Sequence, residues 1–443
     1  MSIFKVHDIR GLYPHELNEE ITSKIALAYA VCTKAEKVVV GYDMRPSSKS
    51  LFKALTEALC SQGIDVVNIG LCSSPICYFA NGVLGVDGSI MITASHNGAG
   101  WNGLKLCISG AEPMSYERGI KDIQRLVESG NLPEPKEQKG RIENLDFTSE
   151  YGRSVLKHVH FSGKPKIVID YANAMGSKEM EGIEHLFEII PLYKKLDGSF
   201  PNHEANPLIA ETLTELRKKV VEHGADFGAA FDGDADRCGF VDNLGEIVNM
   251  DLIIALIAMD IMETSGPQTI LYDVRSSKSV PEAIEAAGGI AKMTRVGHSL
   301  IKKDMRDENA YFAGELSGHY YFSDNYYSES QAKVVVMLCN ILEKKKMTLA
   351  ELVQPLRKYA NSGEINRPMK NSEEVLTALK DKYKDGLQFE LDGLSVNYPD
   401  WWFNVRPSNT EPKLRILVEA DSLEILHLKQ FELLSIIDLL NGA

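Results

Sequence analysis

Apolar runs rich in β-branched residues recur three times along the chain, each followed by an aspartate and a small-residue loop before helical spacing resumes. They are KVVVGYDMRPSS from Lys37, KIVIDYANAMGS from Lys166 and TILYDVRSSKS from Thr269. A short apolar run of this kind reads as a strand, and the periodicity behind it as a helix packed on that strand. The spacing predicts three repeated α/β units, each with its own sheet flanked by helices. In the first unit Asp65 to Leu71 and Ser89 to Thr93 read as further strands, and Pro75 is placed to open a helix. From about Asn371 the pattern changes. Phe389 to Leu391, Leu394 to Asn397, Trp402 to Val405 and Leu414 to Glu419 alternate like antiparallel strands, the first two joined by an Asp392-Gly393 turn, and Leu423 to Leu440 reads as a long closing helix. The predicted architecture is three similar α/β mixed-sheet domains (1–148, 149–250 and 251–365) and a smaller C-terminal α+β domain (366–443), set around a central cleft.

A length of 443 residues agrees with several domains at roughly 100–200 residues each. The composition, 44% hydrophobic and 25% charged, supplies apolar material for several cores and excludes disorder as the default. The 62 acidic against 48 basic residues give a net charge of -14, which repels nucleic acid; an anionic ligand must be small and held locally. The longest apolar stretch, Leu252 to Met259, falls far short of the roughly 20 residues of a membrane span and reads as a buried helix. The charged start MSIFKVHDIRG has no apolar signal core and points to the cytoplasm. Seven scattered cysteines without CxxC spacing read as small buried hydrophobes, not as a disulfide framework or a zinc site.

Four segments carry chemistry. In FDGDADRCGF, Asp232, Asp234 and Asp236 alternate directly after the apolar run Phe227 to Phe231. Carboxylates this close repel one another, and a hard divalent cation such as Mg²⁺ turns that repulsion into coordination. An EF-hand does not fit, because its Gly and Glu positions hold Arg237 and Asn243. In ITASHNGAGWNGLK, Ser95 sits among small residues with His96, Asn97 and Lys105 nearby, as a nucleophile or phosphoryl carrier requires; GxSxG is absent. In GELSGH, Glu315, Ser317 and His319 alternate and suit sugar hydroxyls if the loop is extended. In VRPSNTEP, Arg406, Ser408, Asn409 and Thr410 gather a guanidinium, two hydroxyls and an amide in one loop, a phosphate-holding set; an acidic neighbour such as Glu411 offers Arg406 a plain ion pair instead.

Taken in order, TASHN with NGLK, DGDADR, GELSGH and RPSNTEP resemble the motifs of the α-D-phosphohexomutases, in particular their bacterial phosphomannomutase/phosphoglucomutase branch. The resemblance covers essentially the whole chain, one motif per domain. It implies a four-domain fold with a central cleft and reversible phosphoryl transfer between hexose 1-phosphate and hexose 6-phosphate, of mannose or glucose, through a phosphoserine and a hexose 1,6-bisphosphate that also serves as activator. By the same resemblance Ser95 is the phosphoserine, and its phosphate joins Asp232, Asp234 and Asp236 around one Mg²⁺. Lys105 and Arg237 are the cations beside the transferring group, with His96 next to the serine. His298 and His319 share proton handling and sugar binding. Glu315 and Ser317 bind sugar hydroxyls, His7, Arg10 and Arg275 line the cleft, and Arg406, Ser408, Asn409 and Thr410 hold the non-reacting phosphate. The chain departs from the family's usual pattern at Gly98, His7 and Arg275, where Pro, an aromatic and Lys are frequent. Phosphoglucosamine mutase is the nearest rival, with Leu316 against it; a sugar-phosphate-binding regulator without turnover, or a phosphatase, is the rival from another class.

Overall fold

The computed structural model describes residues 2–369, 371–408 and 412–440. Each repeated apolar run becomes a central parallel strand, and the three sheets share one plan. Lys37–Tyr42 lies between Asp65–Leu71 and Gly88–Ile92, both parallel to it, and Gly88–Ile92 turns into antiparallel Trp101–Ile108. Lys166–Asp170 lies likewise between Glu188–Leu192 and Phe227–Phe231, which turns into antiparallel Cys238–Asp242. Thr269–Asp273 lies between Ile290–Thr294 and Phe312–Gly314, which turns into antiparallel Tyr320–Phe322. Edge strands including Ile9–Leu12 and Ile142–Asn144 widen the first sheet to seven strands; the other two have five. Consequently the Ser95 loop, the aspartate loop and the Glu315 loop occupy one topological position, the turn from a parallel strand to its antiparallel neighbour.

Apolar residues on both faces of these strands require cover on both sides. Helix Met250–Ser265, apolar all round, is correspondingly buried at 12 of its positions. It lies in a continuous apolar cluster running from Val39 to Leu356, so the three α/β units share one core. Pro75 does sit in the first turn of helix Ser74–Leu84, whose N-cap Ser73 accepts from the Ile76 amide.

The C-terminal domain has a separate core, from Val375 to Ile437. Its antiparallel sheet runs Ala360–Asn361, Lys413–Ala420, Trp401–Pro407, Leu394–Asn397, Leu387–Phe389, with Ile365–Pro368 also on Lys413–Ala420. The first predicted strand of this sheet is displaced: the chain pairs through Leu387–Phe389, not Phe389 to Leu391, because the turn is longer than two residues. Gly393 has φ +70°, and a Cβ there would fall 2.3 Å from the Val405 carbonyl oxygen. Polar contacts join this domain to the third: the Lys278 amide donates to Glu419 Oε1 (2.9 Å) and the Val296 amide to Asp392 Oδ2 (3.0 Å). Among the described residues no helix is long and apolar enough to cross a membrane.

One carboxylate ties the first three units together. Glu179, buried, accepts from the Ser73 hydroxyl (2.6 Å), the Tyr151 hydroxyl (2.5 Å) and the Ala332 amide (3.1 Å). Burial pushes its pKa up to about 7 against the pull of those donors. A raised carboxyl pKa means that the folded state holds the proton more readily than the unfolded one; this contribution is present below the ordinary carboxyl pKa and lost as pH rises through about 7. The thermal midpoint of the wild type minus that of Glu179→Gln should therefore be larger at about pH 5 than at about pH 8. A difference that grows with pH contradicts this.

Candidate active site

Ser95 leaves its strand in the left-handed region, φ 51°, an uncommon conformation for a residue with a side chain. Neighbours fix it there. Its amide donates to Thr93 Oγ1 (2.9 Å), and its carbonyl accepts from Arg45 Nη2 (2.8 Å). Arg45 also donates to the carbonyls of Asn97, Gly98 and Trp101, and is itself held by Asp43 at 3.0 Å. The Ser95 hydroxyl donates to Asp232 Oδ2 (3.0 Å) and lies 3.2 Å from His96 Nδ1. Burial, followed by the nearby Arg237 and Arg10 guanidiniums, holds His96 well below the ordinary imidazole pKa, so it is neutral.

Asp232, Asp234 and Asp236 are all buried, on a loop that passes directly under the serine. Gly233 permits that approach, since a Cβ would sit 2.1 Å from the Ser95 carbonyl oxygen. Lys105, from the strand antiparallel to Gly88–Ile92, places Nζ 2.5 Å from both Asp234 and Asp236, and the Ser74 hydroxyl donates to Asp234. Burial and then the mutual repulsion of the carboxylates raise the pKa of Asp232 and Asp234, whereas Lys105 overcomes burial and holds Asp236 well below the usual range. One ligand oxygen from each aspartate lies within 4.8 Å of the others. Asp234 Oδ1 and Asp236 Oδ1 are buried without a hydrogen-bond partner among the described residues. Unpaired buried carboxylate oxygens in an all-oxygen cluster fit a hard divalent cation.

The third domain closes over this pair of loops. Arg237 Nε donates to His319 Nε2 (3.0 Å), which leaves the His319 proton on Nδ1, 3.5 Å from Glu329 and 3.8 Å from Asp236. Burial lowers the His319 pKa, but those carboxylates outweigh it and raise the group above its ordinary value. His298, whose ring centre is 6.2 Å from that of His319 and 5.5 Å from that of His7, is pushed well below by burial and then by His7. His7 pairs with the Ser299 hydroxyl (2.7 Å), and Arg10 donates to Asn97 Oδ1 (2.5 Å) and pairs with Asp8. All of these predicted residues come together.

The GELSGH segment is not extended. The Glu315 amide donates to the His319 carbonyl (3.0 Å) and the Gly318 amide to that of Glu315 (3.0 Å), which closes a tight turn. Glu315 and Ser317 meet side by side at 3.1 Å, while His319 contacts Arg237. Arg275, buried against Asp273, reaches Glu315 at 3.3 Å. Arg406 is also buried, and its carboxylate partner is Glu364 at 2.6 Å. The Ser408 amide donates to the Lys413 carbonyl (2.8 Å). Asn409 and Thr410, like Glu411, lie outside the described residues.

Four family models match successive parts of the chain: phosphoglucomutase/phosphomannomutase alpha/beta/alpha domain I over residues 1–133, domain II over 146–245, domain III over 249–359, and the C-terminal domain over 364–430. The chain belongs to the phosphoglucomutase/phosphomannomutase family. It is 36% identical over 433 residues to a phosphomannomutase of Escherichia coli K12, covering 95% of each chain. To a phosphomannomutase of Methanocaldococcus jannaschii it is 36% identical over 451 residues, covering 100% of this chain and 99% of the relative. A crystal structure of a phosphoglucomutase/phosphomannomutase family protein from Burkholderia thailandensis superposes with a TM-score of 0.92 at 29% identity, covering 99% and 97% of the two chains.

Several residues at this family site escaped the reading of the sequence. Arg45 staples the Ser95 loop as Arg275 braces the Glu315 loop, and the two share a legible signature, an Asp-x-Arg step directly after a repeated apolar run. Asp236 also belongs to a second cluster with His319 and Glu329, where Lys302, 2.6 Å from Glu329, already supplies a cation. The triplet differs from that cluster in offering oxygen ligands alone, the donor set that a hard cation such as Mg²⁺ takes, where the other includes an imidazole nitrogen. Added Mg²⁺ should raise the thermal midpoint of the wild type, by an amount equivalent to about 2.7 kcal/mol at a hundredfold excess over Kd. Asp234→Asn should lose most of that gain; an equal gain in the variant would place the ion elsewhere.

Proposed function

We propose that the protein interconverts the 1-phosphates and 6-phosphates of glucose and mannose, with Ser95 as the phosphoryl carrier. The observation that carries this is the Ser95 hydroxyl on Asp232, at the rim of a buried carboxylate triplet, in a chain of this family. Mg²⁺, held by Asp232, Asp234, Asp236 and the serine phosphate, would supply charge neutralisation at the transferring group. Lys105 and Arg237 provide the remaining positive charge, which phosphoryl transfer needs more than covalent assistance.

In the forward half-reaction the bond from phosphorus to Ser95 Oγ breaks as a bond to the free sugar hydroxyl forms. The hydroxyl proton passes to a histidine, and the departing Ser95 Oγ takes up a proton from solvent. His298, held neutral and with its Nδ1 unpaired among the described residues, and His319, between Arg237 and two carboxylates, are the two imidazoles placed to handle that proton and bind the sugar, with His7 beside them. Neutral His96, beside the hydroxyl, can exchange a proton with Ser95. The resulting hexose 1,6-bisphosphate turns over, and the other phosphate returns to Ser95; the same bisphosphate recharges enzyme that has lost its phosphoryl group. Glu315 and Ser317 bind hydroxyls common to both sugars, so discrimination between them is modest. Arg406, Ser408, Asn409 and Thr410 hold whichever phosphate is not reacting.

Ser95→Ala should lose nearly all turnover and the phosphorylated peptide seen by mass spectrometry of the active protein; phosphate cycling on another residue contradicts the assignment. A marked preference for glucosamine phosphate over both hexoses would favour the rival mutase. Arg406→Ala removes a charge-assisted contact worth about 1.5–3 kcal/mol and should lower kcat/KM roughly 10- to 150-fold, to a similar extent for glucose and mannose 1-phosphates. A loss of thermal stability with unchanged kinetics would show that Arg406 serves only its ion pair with Glu364.

A further inference from the structure

Arg406 and Arg415 are directly opposed on neighbouring antiparallel strands, an arrangement in which like charges repel. Glu364 meets both. Its Oε2 accepts from Arg406 Nη2 at 2.6 Å and lies 3.8 Å from Arg275 Nη1, while Oε1 is 3.4 Å from Arg415 Nη1. Arg275 is already committed to Asp273 and Glu315, so Glu364 is the carboxylate that the other two share. Among the described residues it is one carboxylate set against two guanidiniums, with Asp392 acting more weakly on Arg406. Arg415 Nε is buried without a hydrogen-bond partner among the described residues, and burial, then the Arg275 charge, depresses the Arg406 pKa despite Glu364. A dianion with more acceptor oxygens suits this set of guanidiniums better than one carboxylate does.

Glu364 can also leave. Its side chain is 26% exposed, and it follows Gly363, which has φ +65° and open space where a Cβ would sit, in the short connection between Ala360–Asn361 and Ile365–Pro368 of the C-terminal sheet. From this geometry we propose that Glu364 is an internal stand-in for the substrate's non-reacting phosphate. It gathers Arg275, Arg406 and Arg415 in the ligand-free protein and is displaced when phosphate binds. The inference rests on the reading of the Arg406 loop as the phosphate site. Because the apparent affinity of a site is reduced by the fraction of molecules in which it is competent, Glu364 raises KM.

The test uses the full chain, with inorganic phosphate and glucose 1-phosphate as probes and Glu364→Gln, Glu364→Asp and Arg406→Ala as variants. Glu364→Gln, which keeps the shape and removes the charge, should lower KM about three- to tenfold. It should also lower the unliganded thermal midpoint and make phosphate raise that midpoint further than in wild type. Glu364→Asp, which keeps the charge but withdraws it, should move KM the same way. An unchanged or higher KM in both, with a smaller phosphate-induced shift, would make Glu364 a scaffold for the arginines and overturn the inference, while loss of the phosphate response in Arg406→Ala would leave the phosphate site standing. A phosphate response in Arg406→Ala equal to that of wild type would overturn the site itself.

Discussion

The Lys105 ammonium between Asp234 and Asp236 is the contact on which the site depends. Three buried carboxylates on one short loop are not stable alone, because desolvation and mutual repulsion act in the same direction. Lys105 comes from the first domain and the carboxylates from the second, so offsetting that repulsion also fixes how the two domains face one another. Removing one partner of such a buried pair leaves an uncompensated charge, which costs far more than the net worth of the pair. The serine loop is then carried over the aspartate loop at a distance only Gly233 permits. Arg237, next to the triplet, extends the same charge balance to His319 of the third domain.

Domain repetition explains why chemistry from distant parts of the sequence meets. Each α/β unit presents its reactive loop at the turn from a parallel strand to an antiparallel one, where backbone groups are free and side chains face a shared cleft. The common core of these units holds the three turns in register, with Glu179 at their junction. The C-terminal domain differs. It has its own core and meets the third domain through polar links.

Much of this was legible in the sequence because local pattern and global fold agree. The runs at Lys37, Lys166 and Thr269 are strands of the expected kind, and Leu423–Leu440 is a helix over the predicted range. Ser95, Lys105 and the aspartates announced themselves through small-residue loops after apolar strands. What stayed hidden depends on contacts between residues far apart in the chain. Glu364 lies in an unremarkable stretch, NSGEINRP, and acquires its role only when Arg275 and Arg406 arrive from other elements. Glu179 and Glu329 likewise carry no local motif. The conformation of GELSGH is not legible either, because alternation alone does not distinguish an extended loop from the turn that places Glu315 beside Ser317.

The central claim is that one divalent cation and one phosphoserine share the space between the first two domains. Crystals of the phosphorylated protein soaked with Mn²⁺ in place of Mg²⁺ test it most directly, through the anomalous scattering of the metal. The account predicts a single strong peak coordinated by Asp232, Asp234, Asp236 and a phosphate oxygen on Ser95. A peak at Asp236, His319 and Glu329 instead, or a phosphate on any residue other than Ser95, would contradict it.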